Sequence, residues 1–192
     1  TLQDPVYTRA DMPDMVASYT HRTDSGHTFN LAVTGREVST LGDDSDFGAA
    51  ISLGGKFMLG NTALSLTGFT GEGVGTYSGF GYSGTWNPSK NVDINAEGDL
   101  ITTTGFSAGV TQKFSDKLRG TVRYGQVKAD EVADGVEDTL KMSNINLVYT
   151  YLPGLEFGIE WRDQNQTTLP PGLGNKSRVN GQQVEVMAMY RF

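Results

Sequence analysis

Cysteine is absent from the chain, which removes disulfides, thiol nucleophiles and thiolate metal sites together. The same absence fits a bacterial envelope protein. Also missing is any block of Lys or Arg. With a net charge of −7 the chain lacks the basic surface that neutralises phosphates, which excludes nucleic acid as a partner. No run reaches the ~18 consecutive apolar residues of a spanning helix, and helical periodicity is missing from end to end. If the chain crosses a membrane, it crosses as strands. Only 37% of the 192 residues are hydrophobic while Gly contributes 25, so Leu, Ile and Val are too scattered to fill a thick soluble core.

What is present is alternation. Nine segments of alternating polarity recur at 15 to 22, 27 to 38, 47 to 59, 63 to 77, 103 to 114, 117 to 129, 140 to 152, 155 to 166 and 181 to 192, with turn residues between them. Residues 1–12 read as an irregular lead-in and 13–192 as one β-domain. The connections alternate between tight and long. TDSG, GNT, SD and PG carry the Gly, Asn, Asp and Pro chemistry of hairpin turns. STLGDDSD (39 to 46), 78 to 102, DEVADGVED (130 to 138) and 168 to 180 are long. Short turns at one end and long loops at the other describe an all-β, transmembrane, antiparallel up-and-down barrel of the bacterial outer membrane.

The last nine residues, VEVMAMYRF, carry the alternation to the final carboxylate. Val184, Val186, Ala188, Tyr190 and Phe192 share one face, and Gln183, Glu185, Met187, Met189 and Arg191 the other. A soluble chain end frays into water, whereas lipid would cover this face. The equivalent faces elsewhere read Phe29, Leu31, Val33; Phe47, Ala49, Ile51, Leu53; and Leu155, Phe157, Ile159, Trp161, with aromatics toward the row ends as interfacial girdles require. Tyr190 and Phe192 resemble the terminal signal read by the barrel-assembly machinery. A soluble sandwich or lipocalin-like barrel is the competing architecture, and the aromatic terminus argues against it.

The second face then becomes the lumen, and its charges are the candidate site. Arg36, Lys56, Arg119, Arg123, Lys141, Arg162 and Arg191 are the expected cationic lining. Glu156, Glu160 and Glu185 are its acidic company. Arg119 and Arg123 share a face four residues apart, about 13 Å along one strand, as rungs for anionic solutes. Rings of Lys or Arg favour anions in pores. Alternatively, these cations fill the lumen with salt bridges to the three glutamates.

The long loops carry Asp43, Asp44, Asp46, Asp93, Glu97, Asp99, Asp130, Glu131, Asp134, Glu137 and Asp138. Such acids could meet divalent cations or bridge to lipopolysaccharide, but solvated acidic runs are commoner, and no metal site or cofactor is expected. GEGVGTYSG (71 to 79) lacks the Lys and following helix of a phosphate loop. His21 and His27 flank the first tight turn, where Ser25 and Asp24 offer no cleft for a triad. An enzyme is not expected.

LGGKFMLG (53 to 60), GEGVGTY (71 to 77), NAEGDL (95 to 100), SDKLRGTVRYG (115 to 125) and the terminal MYRF, in this order and spacing, resemble the DcaP-like porins of Gram-negative bacteria. The resemblance runs from residue 12 to the end. It implies trimeric, sixteen-stranded channels that take up dicarboxylates and related anions, and it favours Arg119 and Arg123 as lumen positions. Nine strands are not sixteen, and single-chain bacterial barrels have an even number. The expectation is a C-terminal part, with seven strands preceding it. The alternative function is a structural or adhesive barrel whose acidic loops bind partners or cations.

Overall fold

Alternating polarity does produce strands here, because each run can satisfy one apolar and one polar surroundings at once. The structure, a computed structural model, describes residues 10–40, 44–78, 93–95, 98–133, 136–169 and 180–192. Its strands are β1 (Met15–Arg22), β2 (Thr28–Ser39), β3 (Ser45–Leu59), β4 (Thr62–Glu72), β5 (Thr102–Lys113), β6 (Leu118–Ala133), β7 (Val136–Leu152), β8 (Leu155–Leu169) and β9 (Gly181–Tyr190). They form one sheet in chain order, and every neighbouring pair is antiparallel.

Among the described residues β1 pairs only with β2 and β9 only with β8. The sheet is open, with β1 and β9 as its edges. Nine alternating directions also make these two edges run the same way. A direct β1–β9 seam would be parallel, unlike every other seam in the sheet.

Two boundaries differ from expectation. The fourth segment does not run to residue 77: β4 stops at Glu72, Gly73 turns at φ 65°, and Gly75–Tyr77 form a single 3-10 turn. Glycine at positive φ ends the strand where the alternation alone would have continued it. The connection expected over 130–138 is mostly strand, because β6 reaches Ala133 and β7 starts at Val136, with a register shift between Ala129 and Ala133. Acids had suggested a loop there, yet Lys128 offsets them, at 2.6 Å from Asp130 and 2.9 Å from Glu137. The tight connections stand as expected. At the β7–β8 turn, Gly154 has φ 85°, and a Cβ there would lie 2.6 Å from the Arg191 carbonyl oxygen. The Arg191 N–H also donates to the Gly154 carbonyl at 2.8 Å, tying the terminus to the turn.

Register separates two faces. One cross-strand row runs Phe57, Leu64, Val110, Val122, Ile145, Trp161 and Val184, wholly apolar and mostly exposed. Contiguous exposed grease of this extent is what a lipid-facing wall requires. Tyr151 and Phe157 meet edge-on at 6.4 Å, and Phe29 and Phe57 at 5.6 Å, near the tight turns. Tyr190 and Phe192 continue this apolar face at the same end, their rings 6.4 Å apart.

The two buried apolar clusters sit on the other face, at the end away from the tight turns. Val38 packs with Ile94 and Leu100, and Ala129 and Leu140 with Ile101 and Val127. The β4–β5 connection folds back to make this cover, its Ile101 N–H donating to the Asp93 carbonyl at 2.9 Å and Gly73 N–H to Ile101 at 3.0 Å. The molecule has a small core, and it is a loop pressed onto the polar face.

Candidate functional site

Strand parity places Arg36, Lys56, Arg119, Arg123, Glu156, Glu160, Arg162, Glu185 and Arg191 on the polar face, opposite the apolar rows. Lys141 does not join them. It pairs with Gln126 and Asn165 and shares its face with Ile145, Leu147 and Tyr149. The period of two runs unbroken from Lys141 to Tyr149, so a charge at the loop-side end of an apolar row sits on the apolar face. Its long stem lets the ammonium reach water from there.

The polar-face charges fall into three groups. At the loop end Arg36 lies 2.6 Å from Asp93 and 3.5 Å from Asp14, and its guanidinium stands 5.7 Å from the Tyr77 ring centre, within cation–π range. Asp93 is fully buried and also accepts from the Thr76 amide and hydroxyl, both at 2.9 Å. The Tyr77 hydroxyl donates to Asp14. That hydrogen bond, with burial adding to it, pushes the Tyr77 phenol above its ordinary value.

At the turn end Arg119 grips Glu156 with both terminal guanidinium nitrogens, Nη1 and Nη2, at 2.7 and 3.1 Å. Arg191 adds a contact at 3.6 Å and the Thr150 hydroxyl one at 3.3 Å. Glu160 takes the Asn144 and Asn146 amides at 3.2 and 3.1 Å and Arg162 at 3.0 Å, while Arg162 also stands 3.6 Å from Glu185. Salt bridges therefore do occupy part of this face. Arg119 and Arg123, expected as equivalent rungs, differ: Arg119 is clamped, whereas Arg123 is exposed and has no ion pair among the described residues. Lys56 is likewise exposed, with no acidic partner among the described residues.

Register links these cations into a single line. One cross-strand row reads Arg22, Thr28, Lys56, Ser65, Gly109, Arg123, Asn144, Arg162 and Gln183. It carries four cations and no acid. With strands about 4.8 Å apart, Lys56 and Arg123 stand ~14 Å from each other and Arg123 and Arg162 ~10 Å. The row climbs: Lys56 is three residues from the end of β3, Arg123 five from the start of β6 and Arg162 seven from the start of β8. Beside it, toward the loop end, runs an uncharged row of Thr20, Asn30, Gly54, Thr67, Ser107, Gly125, Met142 and Gln164. Its glycines leave the cation heads uncrowded. On the other side, Glu160 and Glu185 share the next row.

Sequence reasoning missed Arg22, the last residue of β1, because its membership shows only once β1 is registered against β2. It also missed Asp14 and Tyr77 as partners of Arg36. Of the acids expected in loops, Asp46, Asp130, Glu131, Glu137 and Asp138 lie in strands, Asp93 is engaged by Arg36, and Asp43, Glu97 and Asp134 lie outside the described residues. Among the described residues, no group of three or more His, Asp or Glu side chains could hold a metal ion. His27 Nδ1 accepts from the Met58 amide at 3.0 Å, and the Ser25 and Thr23 hydroxyls share a hydrogen bond at 2.9 Å. These residues sit apart from the polar-face charges.

No protein-family model matches the chain, and no curated protein matches it. Solved structures do. The outer-membrane channel DcaP of Acinetobacter baumannii superposes with a TM-score of 0.75 at 20% identity, over 96% of this chain and 53% of that one. OmpT, an outer-membrane protein of Vibrio cholerae, gives 0.62 at 15% identity, over 96% of this chain and 58% of that one. The chain thus has the fold of an outer-membrane β-barrel porin, as the sequence resemblance implied, and it spans about half the length of the structures it matches. In that fold the apolar rows face lipid and the polar face lines the interior.

Proposed function

We propose that this chain forms part of the wall of an outer-membrane porin that passes small anionic solutes, dicarboxylates among them, by passive diffusion, with no cofactor and no reaction step. The supporting observation is the climbing row of Arg22, Lys56, Arg123 and Arg162 without an acid in it. Cations spaced at this interval along a low-dielectric wall hold an anion weakly at several successive places, which favours entry and still allows exit. The fold of DcaP, an outer-membrane channel by its name, supports the channel half of the reading.

In lipid both open sheet edges must be paired. The nine strands therefore work as one part of a larger closed wall, on our reading a sixteen-stranded one, within a homotrimer bedded in lipid and lipopolysaccharide. The exposed Tyr190 and Phe192 side chains suit recognition by the barrel-assembly machinery.

The test is the reversal potential of the whole channel in a planar bilayer under a salt gradient. Lys56→Gln together with Arg123→Gln is expected to lower the anion-over-cation permeability ratio severalfold. An unchanged reversal potential in a conducting double variant would overturn the anionic assignment, and absence of any conductance in the unaltered protein would overturn the channel itself.

A further inference from the structure

We propose that the turn end of the polar face holds a saturable binding site for a compact tetrahedral oxyanion, with phosphate as its probe. It rests on the reading of this face as a channel lumen, because only a water-filled interior would bring solute to it. A cavity of about 260 Å³ lies here, and Lys56, Asn61, Lys113, Lys117, Arg119 and Thr150 are among its walls. That volume falls below the roughly 300 Å³ at which pockets for drug-sized ligands begin. Its occupant is therefore small.

Two hairpin turns build the pocket, and the backbone fixes both. The Lys113 amide donates to the Asn61 carbonyl and the Thr150 amide to the Lys117 carbonyl, each at 2.8 Å. These bonds hold the β3–β4 turn against β5 and the β5–β6 turn against β7. Ala63, opposite Met58, and Gly60 contribute little side chain to the lining.

Charge within the pocket is unevenly spent. Lys113 pairs with Asp116 at 2.8 Å, and its ammonium holds the Asp116 carboxyl below the usual carboxylate range. Arg119 is committed to Glu156. Lys56 and Lys117 have no acidic partner, and the Asn61 carboxamide has no hydrogen-bond partner, among the described residues. Four cations thus converge on one concavity against a single lining acid, Asp116. Two ammonium groups and an amide remain as unengaged donors. Isolated lysines in water carry no such implication; several converging in one concavity raise the local potential.

The donor types decide the ligand class. A planar carboxylate is best matched by a guanidinium fork, and the only fork here is occupied by Glu156. Ammonium groups act as point charges with freely turning donors, which suits the tetrahedral oxygens of phosphate. The site also differs from the cation row in consequence. The row gives passage at successive rungs, whereas the pocket gathers its donors at one depth, beside turns that face the periplasm in barrels of this kind. Solute would be retained at the exit.

The experiment uses the whole channel and two readouts. In detergent-solubilised protein, reaction of individual lysines with an amine reagent is followed by mass spectrometry, with inorganic phosphate or with chloride at equal ionic strength. Phosphate is expected to slow modification of Lys56 and Lys117 saturably and to leave Lys141, on the apolar face, unaffected. In planar bilayers, phosphate added on the periplasmic side is expected to reduce chloride current saturably, and Lys117→Gln, which lies outside the cation row, to weaken that block severalfold. Protection without conductance would uphold the site while the channel reading falls. Conductance with neither protection nor side-dependent block would overturn the site and leave the channel standing. Protection by succinate as strong as that by phosphate would overturn the tetrahedral assignment.

Discussion

Arg36 and Arg123 are the same residue type on the same face of the same sheet, yet one is immobilised and the other is exposed to whatever fills the interior. Neither strand propensity nor neighbouring sequence separates them. Each stands opposite a glycine, Gly48 for Arg36 and Gly109 for Arg123. The difference is the β4–β5 connection, which lays Asp93, Ile94 and Ile101 over the loop end and leaves the turn-side rows uncovered. For this pair coverage decides role: under the loop Arg36 joins structure, and beyond it Arg123, with no ion pair among the described residues, is left for solute.

The comparison breaks or sharpens most visibly at Arg36. Its guanidinium side chain is 16% exposed and the Asp93 carboxylate 0%, so Arg36→Ala leaves a buried carboxylate without its guanidinium partner. Losing one partner of such a pair costs about 3–5 kcal/mol, and urea unfolding of the refolded barrel should show it as a lower midpoint. A loss no larger than that of an ordinary surface substitution would mean that the loop cover contributes little.

A smaller contrast separates the two arginines of β6. Arg119→Gln removes a two-pronged grip on Glu156 and is expected to lower the same midpoint. Arg123→Gln, with no ion pair to lose, should stay within about 0.5 kcal/mol of the unaltered protein. Equal losses at the two positions would erase the distinction between clamped and uncommitted cations.

Why some of this was legible in the sequence and some was not follows from the range of each interaction. Period-two alternation is local, so the strands, the tight turns and the apolar rows through Ile145, Trp161 and Val186 could be read directly. Lys141 was misplaced because its charge was weighed above its parity with Ile145, although the spacing held the answer. The 130–138 stretch resembles a solvated loop by its acids, whereas the β6–β7 pairing that reaches Ala133 and Val136, with Lys128 against Asp130 and Glu137, makes it mostly strand. The cation row depends on register across eight seams, and Arg36 with Asp93 on a contact 57 residues apart. Nothing local encodes either one.

The smallest expected effect tests how the lead-in is fastened to the cover. Tyr77 donates its hydroxyl to Asp14, which in turn touches Arg36, so the latch needs a protonated phenol. The folded-state pKa is raised above the ordinary 10.0. The stabilisation is therefore complete below pH ~10 and is lost as pH climbs through the raised value. In an absorbance titration of the folded protein, a late phenol step above the ordinary 10.0 should be present, and it should vanish in Tyr77→Phe. If the late step survives the substitution, the Asp14 contact does not hold the phenol. The segment ahead of β1 would then depend on the Arg36 contact with Asp14 and on the Glu37 carboxylate, which accepts the Asp11 and Met12 amides at 3.0 and 2.8 Å.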